Sequence, residues 1–366
     1  MKKPKHFHIY QELHNAIVGG RYEIGHRLPS EAQLVEQFST SRPTVARALR
    51  ELQYQGLIER RAGSGSYVRK ITSVRTDLFG LLIPGLGETE IFEPICREMS
   101  RFSEESRHAL LWGDTTSESL AIEEQAKQLC QLQIARKVSG VFFAPLEFSP
   151  NKNQVNQQIT NDLQKAHIPV VLLDRCIYEH PRRSPFDLVG IDNCRAGFVI
   201  TEHLLKLGCK RIGFLAREGS APTVDARIAG YHIALLQHGV TPRKNMVWWG
   251  DPADENFVKG IINKHDLEAF VCANDDTAAH LMHTLDKLGA RIPQDYRIVG
   301  FDDVKYAKLL KVPLTTIHQP CKRIGEVAVK TMVDRIEYPN LPTRDVLLDF
   351  HLVVRESCGV NLKKKK

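Results

Sequence analysis

The chain has 366 residues, 42% of them hydrophobic and 25% charged, which is the composition of a folded globular protein long enough for two or three domains. No apolar run approaches the ~18 residues of a membrane span, and no apolar segment follows the basic start Met1–His6, so a cytoplasmic protein with no membrane partner is expected. Charge is uneven: residues 1–70 hold 12 Lys and Arg against 6 Asp and Glu, and taking this +6 and the +4 of Lys363–Lys366 from the total of +7 leaves −3 for residues 71–362, so the head is the part expected to meet a polyanion.

In the head, Tyr10–Val18 places apolar residues at 10, 13, 17 and 18, a helical face that Gly19-Gly20 ends. Pro29-Ser30-Glu31 opens a second helix with a polar cap and an acidic first turn; Ala32, Leu34, Val35 and Phe38 are its apolar positions. After the break Ser39-Thr40-Ser41, Ser41 caps a third helix and Pro43 sits in its first turn. Val45, Ala48, Leu49 and Leu52 face inward, while Arg42, Thr44, Arg47 and Arg50 lie on other faces, and Gln55-Gly56 closes the helix. Two short strands, Leu57–Arg61 and Ser66–Arg69, flank Ala62-Gly63-Ser64-Gly65 as a hairpin with a glycine-rich tip and basic stems. Helix, tight turn, helix and basic hairpin make a winged helix-turn-helix. The third helix suits the major groove, and the glycine tip allows close approach to the minor groove or the phosphates.

Residues 10–68 resemble the DNA-binding domain of the GntR family. The resemblance is carried by Gly20-Arg21-Tyr22-Glu23-Ile24-Gly25-His26-Arg27-Leu28-Pro29-Ser30-Glu31, by Ser41-Arg42-Pro43-Thr44-Val45-Ala46-Arg47-Ala48-Leu49, and by the run Gly56–Val68. It implies that Arg42, Thr44 and the Arg47 region meet operator DNA and that the wing tip near Gly63 enters the minor groove. Ser41, Arg27, Arg60 and Arg61 are further DNA-binding candidates, the alternative for each arginine being a solvated helix or strand face. Ala46 departs from the family, which often carries a basic residue there, and this should alter operator preference or weaken binding.

Lys70–Asp77 has weak periodicity and reads as a linker, giving expected domains 1–69, 78–358 and a tail 359–366 to which no role is assigned. From residue 78 onward, strands and helices alternate. Strands are expected at 78–84, 109–112, 140–144, 169–174, 188–191, 211–215, 269–272 and 297–301. Helices are expected at 91–105, 117–135, 154–166, 194–207, 225–238, 276–288 and 321–337. Continuous apolar strands between amphipathic helices mean parallel sheets covered on both faces. The pattern runs twice, so the expected fold is α/β with two Rossmann-like lobes, and a ligand is expected beyond the carboxyl ends of the strands.

The body resembles the effector domain of the LacI/GalR regulators, which is similar to periplasmic sugar-binding proteins, from about Leu78 to Ser357. Its carriers include Ile168–Arg175, Val189–Asn193, Glu202–Gly208, Arg227–Tyr231, Ala273–Ala278, Arg297–Asp303 and Pro313–Gln319. By position, the resemblance implies that Arg227, Asn274 and Asp302 hold the effector. Paired donors and acceptors of this kind suit sugar hydroxyls, and Phe92 and Trp249 are candidate platforms for an apolar sugar face. Gln319, Asp192 and Arg195 are weaker candidates. Asp302 could instead be a helix cap, Arg227 an interdomain ion pair, and Phe92 and Trp249 core packing. The hinge helix and head of lactose-type regulators are absent. The combination is similar to arabinose-repressor-type chimeras, which points toward a pentose.

Eight cysteines, at 96, 130, 176, 194, 209, 272, 321 and 358, are scattered without a C-x-x-C pair, so neither a disulfide framework nor a metal site is expected, and no cofactor. No G-x-S-x-G, Walker A, H-E-x-x-H or kinase signature occurs, so the chain is not expected to be an enzyme. A transport protein would need a signal peptide and no basic head; an aminotransferase-like chimera would need a much longer body. The expected function is a homodimeric, DNA-binding transcription repressor whose operator affinity is set by a small ligand, a sugar, held between two lobes.

Overall fold

The computed structural model describes residues 5–54, 57–61, 64–68, 77–86, 91–105, 108–112, 121–242 and 245–362. It divides into two compact units, Met1–Thr76 and Asp77–Lys366.

The first unit contains α1 (Lys5–Val18), α2 (Glu31–Gln37), α3 (Arg42–Tyr54) and a hairpin of β1 (Ile58–Arg61) with β2 (Gly65–Val68). Its small core is built from the expected apolar faces: Leu13 and Ile17 of α1, Leu34 of α2, Val45, Ala48, Leu49 and Leu52 of α3, and Ile58 and Val68 of the hairpin. Helix α2 starts at a reciprocal capping box. The Ser30 hydroxyl accepts from Gln33 N at 3.3 Å, and Gln33 Oε1 accepts from Ser30 N at 2.8 Å. The antiparallel hairpin pairs Ile58 with Val68 and Arg61 with Gly65. Gly65 has φ +116°, which only glycine adopts readily, and this lets the strand turn back on itself.

The second unit has two lobes. The first lobe's sheet, in order β13-β7-β6-β5-β3-β4, contains β3 (Leu78–Leu82), β4 (Ala109–Trp112), β5 (Gly140–Phe143), β6 (Val170–Leu173), β7 (Asp187–Ile191) and β13 (Asp345–Leu348), all parallel. The second lobe's sheet, β14-β12-β11-β10-β8-β9, contains β8 (Ile212–Ala216), β9 (Val247–Trp249), β10 (Ala269–Cys272), β11 (Arg297–Asp302), β12 (Thr315–His318) and β14 (His351–Val353), with only β14 antiparallel to its neighbour. The central strands β5, β6 and β10 are buried along their whole length because helices cover both faces. In the first lobe, α4 (Phe92–Glu105) and α11 (Cys321–Glu337) cover one face, and α5 (Ile122–Ala135) and α6 (Lys152–Lys165) the other. In the second, α7 (Asn193–Lys206) and α8 (Pro222–Gln237) face α9 (Glu255–Lys264) and α10 (Asp275–Lys287) across the sheet.

The chain passes between lobes three times: from β7 into α7 at Asp192, from β12 into α11 at Gln319-Pro320, and from β13 into β14 at Asp349-Phe350. The elements β9, α9, β12, β13 and β14 escape the expected pattern. The edge strand β13 alternates exposed and half-buried residues and so lacks the continuous apolar run of a central strand. Helix α5 begins at Ile122 rather than 117, residues 113–120 lying outside the described set; the linker residues 70–76 lie there too.

Candidate functional site

Two surfaces carry the candidate residues. In the head, Arg42 stands at the first position of α3 with its side chain 76% exposed, and Arg47 is exposed one turn on. Ser41 and Thr44 hydroxyls hydrogen-bond each other at 2.8 Å, which closes the helix start. Glu31, in the first turn of α2, gathers two arginines: its carboxylate lies 3.6 Å from Arg42 Nε and accepts from the Arg60 guanidinium of β1. This acid ties the third helix to the hairpin, and it was read from sequence only as a first-turn residue. Arg61 stacks on Tyr67, its Cζ 4.9 Å from the ring centroid. The Arg27 side chain packs over Gly65, where a Cβ would come within 2.8 Å of its Nε. Arg27, Arg42, Arg47, Arg60 and Arg61 are all exposed; Gly63 lies outside the described residues. Outward-facing arginines on one helix and one hairpin can engage phosphates and base edges of a duplex.

In the body, a cavity of about 420 Å³ opens between the lobes. It is lined by residues following the carboxyl ends of β3, β5 and β6 on one side and of β8, β10 and β11 on the other, the crevice where ligands bind in such sheets. The first lobe contributes Phe92, Glu147, Phe148, Asp174 and Arg175; the second contributes Arg217, Arg227, Asn274, Asp276 and Asp302. Arg227 comes from α8, which packs tightly on α7: a Cβ on Gly197 would sit 2.1 Å from Arg227 O, and one on Gly230 would sit 1.9 Å from Cys194 O.

The lining is densely cross-linked. Arg227 is 4% exposed, donates to Asn193 Oδ1 at 2.8 Å and to Ala273 O at 2.6 Å, and lies 3.6 Å from Asp302 Oδ1. Gln319 Nε2 donates to the same Asp302 oxygen at 2.8 Å. The site therefore touches two of the three interlobe passages, at Asn193 and Gln319. Arg175 pairs with Glu147, lies 3.4 Å from Asp174 Oδ2, and stacks on Phe92 with Cζ 5.1 Å from the ring centroid. Across the cleft mouth, Phe148 N donates to Gly219 O at 2.7 Å and Ala221 N donates to Glu147 Oε2 at 3.2 Å.

Three aspartates here hold left-handed backbone: Asp174 at φ +66°, Asp302 at +114° and Asp303 at +56°. Such strain is disfavoured for a side-chain-bearing residue and persists where the surroundings over-determine it, often at functional sites. Burial pushes the Asp302 carboxyl up to about 6, with Arg227 and Gln319 pulling the other way. Burial also raises Asp174 and Asp275; the Asp275 carboxylate is held by Thr316 Oγ1 at 2.6 Å and Val304 N at 3.0 Å.

Of the residues expected to bind ligand, Phe92, Arg227, Asn274 and Asp302 line the cavity, and Gln319 sits behind Asp302. Three others do not line it. Asp192 caps α7 by accepting from Arg195 N at 2.9 Å. Arg195 pairs with Asp349 at 2.7 Å and stacks on Phe350, joining two interlobe passages at the surface. Trp249 ends the edge strand β9, is 40% exposed and does not line the cavity. Sequence reasoning missed Glu147, Phe148, Asp174, Arg175, Arg217 and Asp276. Asp174, read as the last residue of the strand 169–174, and Arg175 directly follow β6, so the rule that ligands sit beyond carboxyl ends could have found them.

Comparison with known proteins agrees with this geometry. Residues 6–68 match the family "bacterial regulatory proteins, gntR family", and residues 201–358 match the "periplasmic binding protein-like domain". The arabinose metabolism transcriptional repressor of Geobacillus stearothermophilus is 28% identical, the alignment covering 97% of each chain. The HTH-type transcriptional repressor PurR of Photobacterium profundum is 30% identical over 53% of this chain and 58% of its own. Among solved structures, the transcriptional regulator CelR in complex with cellobiose shares the fold, with a TM-score of 0.66 and 21% identity over 90% of this chain and 100% of that one.

Proposed function

We propose that this chain, a GntR-type DNA-binding head joined to a periplasmic-binding-protein-like body, is a transcription repressor that releases its operator when a sugar occupies the interlobe cleft. The observation that carries the reading is the cleft itself: buried, paired Arg and Asp side chains at the carboxyl ends of two parallel sheets, hydrogen-bonded to two of the passages between lobes. A sugar presents several hydroxyls, and each carboxylate, amide or guanidinium in the lining can donate to or accept from one. The names of the arabinose and CelR relatives point the same way.

The cleft supports a two-state mechanism. A ligand bridging Asp302 and Arg227 of one lobe with Asp174 and Arg175 of the other favours the closed arrangement, and closure turns the chain at the passages through Asn193 and Gln319. Coupling then requires only that the operator favour one arrangement and the sugar the other. In this reading residues 1–69 are the reader, 70–77 the linker and 78–358 the sensor. The protein acts as a cytoplasmic homodimer on a pseudo-palindromic site and catalyses no reaction. Ser41, Arg42, Thr44, Arg47 and the wing residues Arg60, Arg61 and Gly63 face the DNA, with Arg27 beside them.

The test begins with in vitro selection of bound duplexes, followed by titration of the full-length chain onto the selected site with and without a panel of sugars, sugar phosphates and nucleosides. Sequence-specific binding that one ligand class weakens is the expected result. Failure to select any sequence, or operator affinity unmoved by every ligand that binds the protein, would overturn the proposal.

A further inference from the structure

The charges of the cleft restrict what it can hold, an inference that rests on the cleft being the ligand site. Four carboxylates and three guanidiniums line it, a net charge of −1 when all are ionised. Every guanidinium already has an acidic neighbour: Arg175 has Glu147 and Asp174, Arg227 has Asp302 at 3.6 Å, and Arg217 has Asp276 at 3.3 Å. Two of these cations, Arg175 and Arg227, are 5% and 4% exposed, so their pairing is not exchanged with water. Lys152 lies near the mouth, but its ammonium donates to the carbonyls of Gly219 and Ser220.

Helix N-termini are the other usual means of holding an anion. Those of α8 and α10 border the cleft, and both are met by acid. Glu147 accepts from Ala221 N at the start of α8, while Asp275 and Asp276 occupy the first turn of α10, where the Asn274 side chain already caps Thr277 N at 2.8 Å.

The cleft leaves two buried polar atoms of its lining without a hydrogen-bond partner among the described residues, the donor Arg175 Nε and the acceptor Asp174 Oδ1. Asp174 lines the cavity and is 4% exposed; the Gln319 side chain lies beside its carboxyl, yet its buried Oδ1 lacks a well-formed hydrogen bond among the described residues. A buried acceptor in that position calls for a hydroxyl donor. Two aromatic rings in the lining, Phe92 and Phe148, each carry a guanidinium, with Cζ 5.1 Å and 4.6 Å from the ring centroids. They add apolar surface suited to the C–H face of a sugar ring and no charge.

We infer that the cleft selects an uncharged polyol, a free sugar, and rejects the phosphate esters and acids of the same sugar. An anion meeting Arg175 or Arg227 would have to draw the guanidinium away from its carboxylate, leaving that carboxylate buried and unpaired, or stand unpaired itself; only the exposed Arg217–Asp276 pair at the rim escapes this cost. A free sugar breaks no ion pair and supplies the donor that Asp174 lacks. The same logic makes Glu147 the residue that sets the discrimination, because its carboxylate both pairs Arg175 and occupies the α8 N-terminus.

The experiment measures binding of the full-length protein, by calorimetry, to matched pairs of free sugar and sugar phosphate across pentoses and hexoses, with neutral purine bases as a third arm. At least one free sugar should bind, and its phosphate should bind more weakly by a factor of about 100 or more, the lower end of the scale expected for a buried charge left without a partner. Glu147→Gln should narrow that gap, because Arg175 then keeps only Asp174 as an acidic neighbour, and a cooperative denaturation transition of the body shows that the variant is folded. A phosphate ester binding as tightly as its free sugar would overturn the inference while leaving the cleft as a sensor site. A purine base binding in place of any sugar would overturn the polyol class. An unchanged gap in Glu147→Gln would overturn the role of that residue. Silence in all arms would overturn the cleft reading itself.

Discussion

Arginine does opposite work in the two units of this chain. In the head, Arg42 projects into solvent, 76% exposed, with one acidic neighbour 3.6 Å away in Glu31. In the body, Arg227 is 4% exposed and engages a side-chain amide, a backbone carbonyl and a carboxylate at once. An exposed guanidinium beside a single acid stays available to a polyanion that arrives with its own charge. A buried guanidinium whose donors are already in use is part of the scaffold, and what it offers a ligand is a fixed direction rather than free charge. The net +6 of the head and the cleft's slight acid excess are two expressions of this difference.

The largest test of the contrast is removal of the buried member. Arg227→Met leaves Asp302 uncompensated and Asn193 and Ala273 O without their donor, so it should destabilise the body by about 3–5 kcal/mol, the usual cost of breaking a buried pair by removing one partner. Chemical denaturation measures this directly. A loss below about 1 kcal/mol would mean that the guanidinium is not embedded as the geometry shows. Next comes the exposed member. Arg42→Ala should cost roughly 1–3 kcal/mol of specific operator binding while leaving the denaturation midpoint and sugar affinity unchanged. If it destabilised the protein without weakening DNA binding, the two arginines would belong to one class and the comparison would collapse.

The third test uses pH. Burial places the Asp302 carboxyl at about 6 rather than 3.8, so the folded protein holds this proton over a window where the unfolded chain has lost it. In the free protein this group therefore contributes stability at low pH that disappears as pH rises from about 4 through about 6. A sugar hydroxyl donating to the carboxylate favours the ionised form, so sugar affinity moves the opposite way: it should fall below pH 6 by up to about tenfold per pH unit. Asp302→Asn should flatten both profiles. Sugar affinity that is level between pH 5 and 7 in the unsubstituted protein would show that the ligand does not use the ionised carboxylate.

What could be read in the sequence follows the same division. The head was legible almost residue by residue, because caps, helical faces and a glycine-tipped hairpin are local patterns; Ser30, Val45 and Gly65 each do what their neighbours dictate. Glu31 was the exception, since its bond to Arg60 spans 29 positions. The body's central strands were legible from continuous apolar runs such as Val170–Leu173. The edge strands β9, β13 and β14 were not, although the edge strand β4 was, and the interior strand β12 escaped because Thr315-Thr316 and His318 break its apolar run. The cleft was legible only where residues lie at strand ends already recognised, as Asn274 and Asp302 do. Glu147 and Arg217 come from loops, and only three-dimensional closure brings them to Arg175 and Asp276.

The smallest expected effect tests whether distance from the crevice matters more than residue type. Arg195 was one of the weaker ligand-binding candidates, yet its guanidinium is half-exposed and pairs with Asp349 at 2.7 Å, outside the cavity lining. Solvent-exposed pairs of this kind contribute little to stability, because water screens the attraction and ordering two long side chains opposes it. Arg195→Ala should therefore leave both sugar affinity and the denaturation midpoint within measurement error, as read by calorimetry on the same preparation that binds the selected operator. A substantial loss of sugar affinity would move Arg195 into the binding machinery. It would also show that an exposed arginine in the body can act as those of the head do, and burial would then no longer be what separates the two kinds.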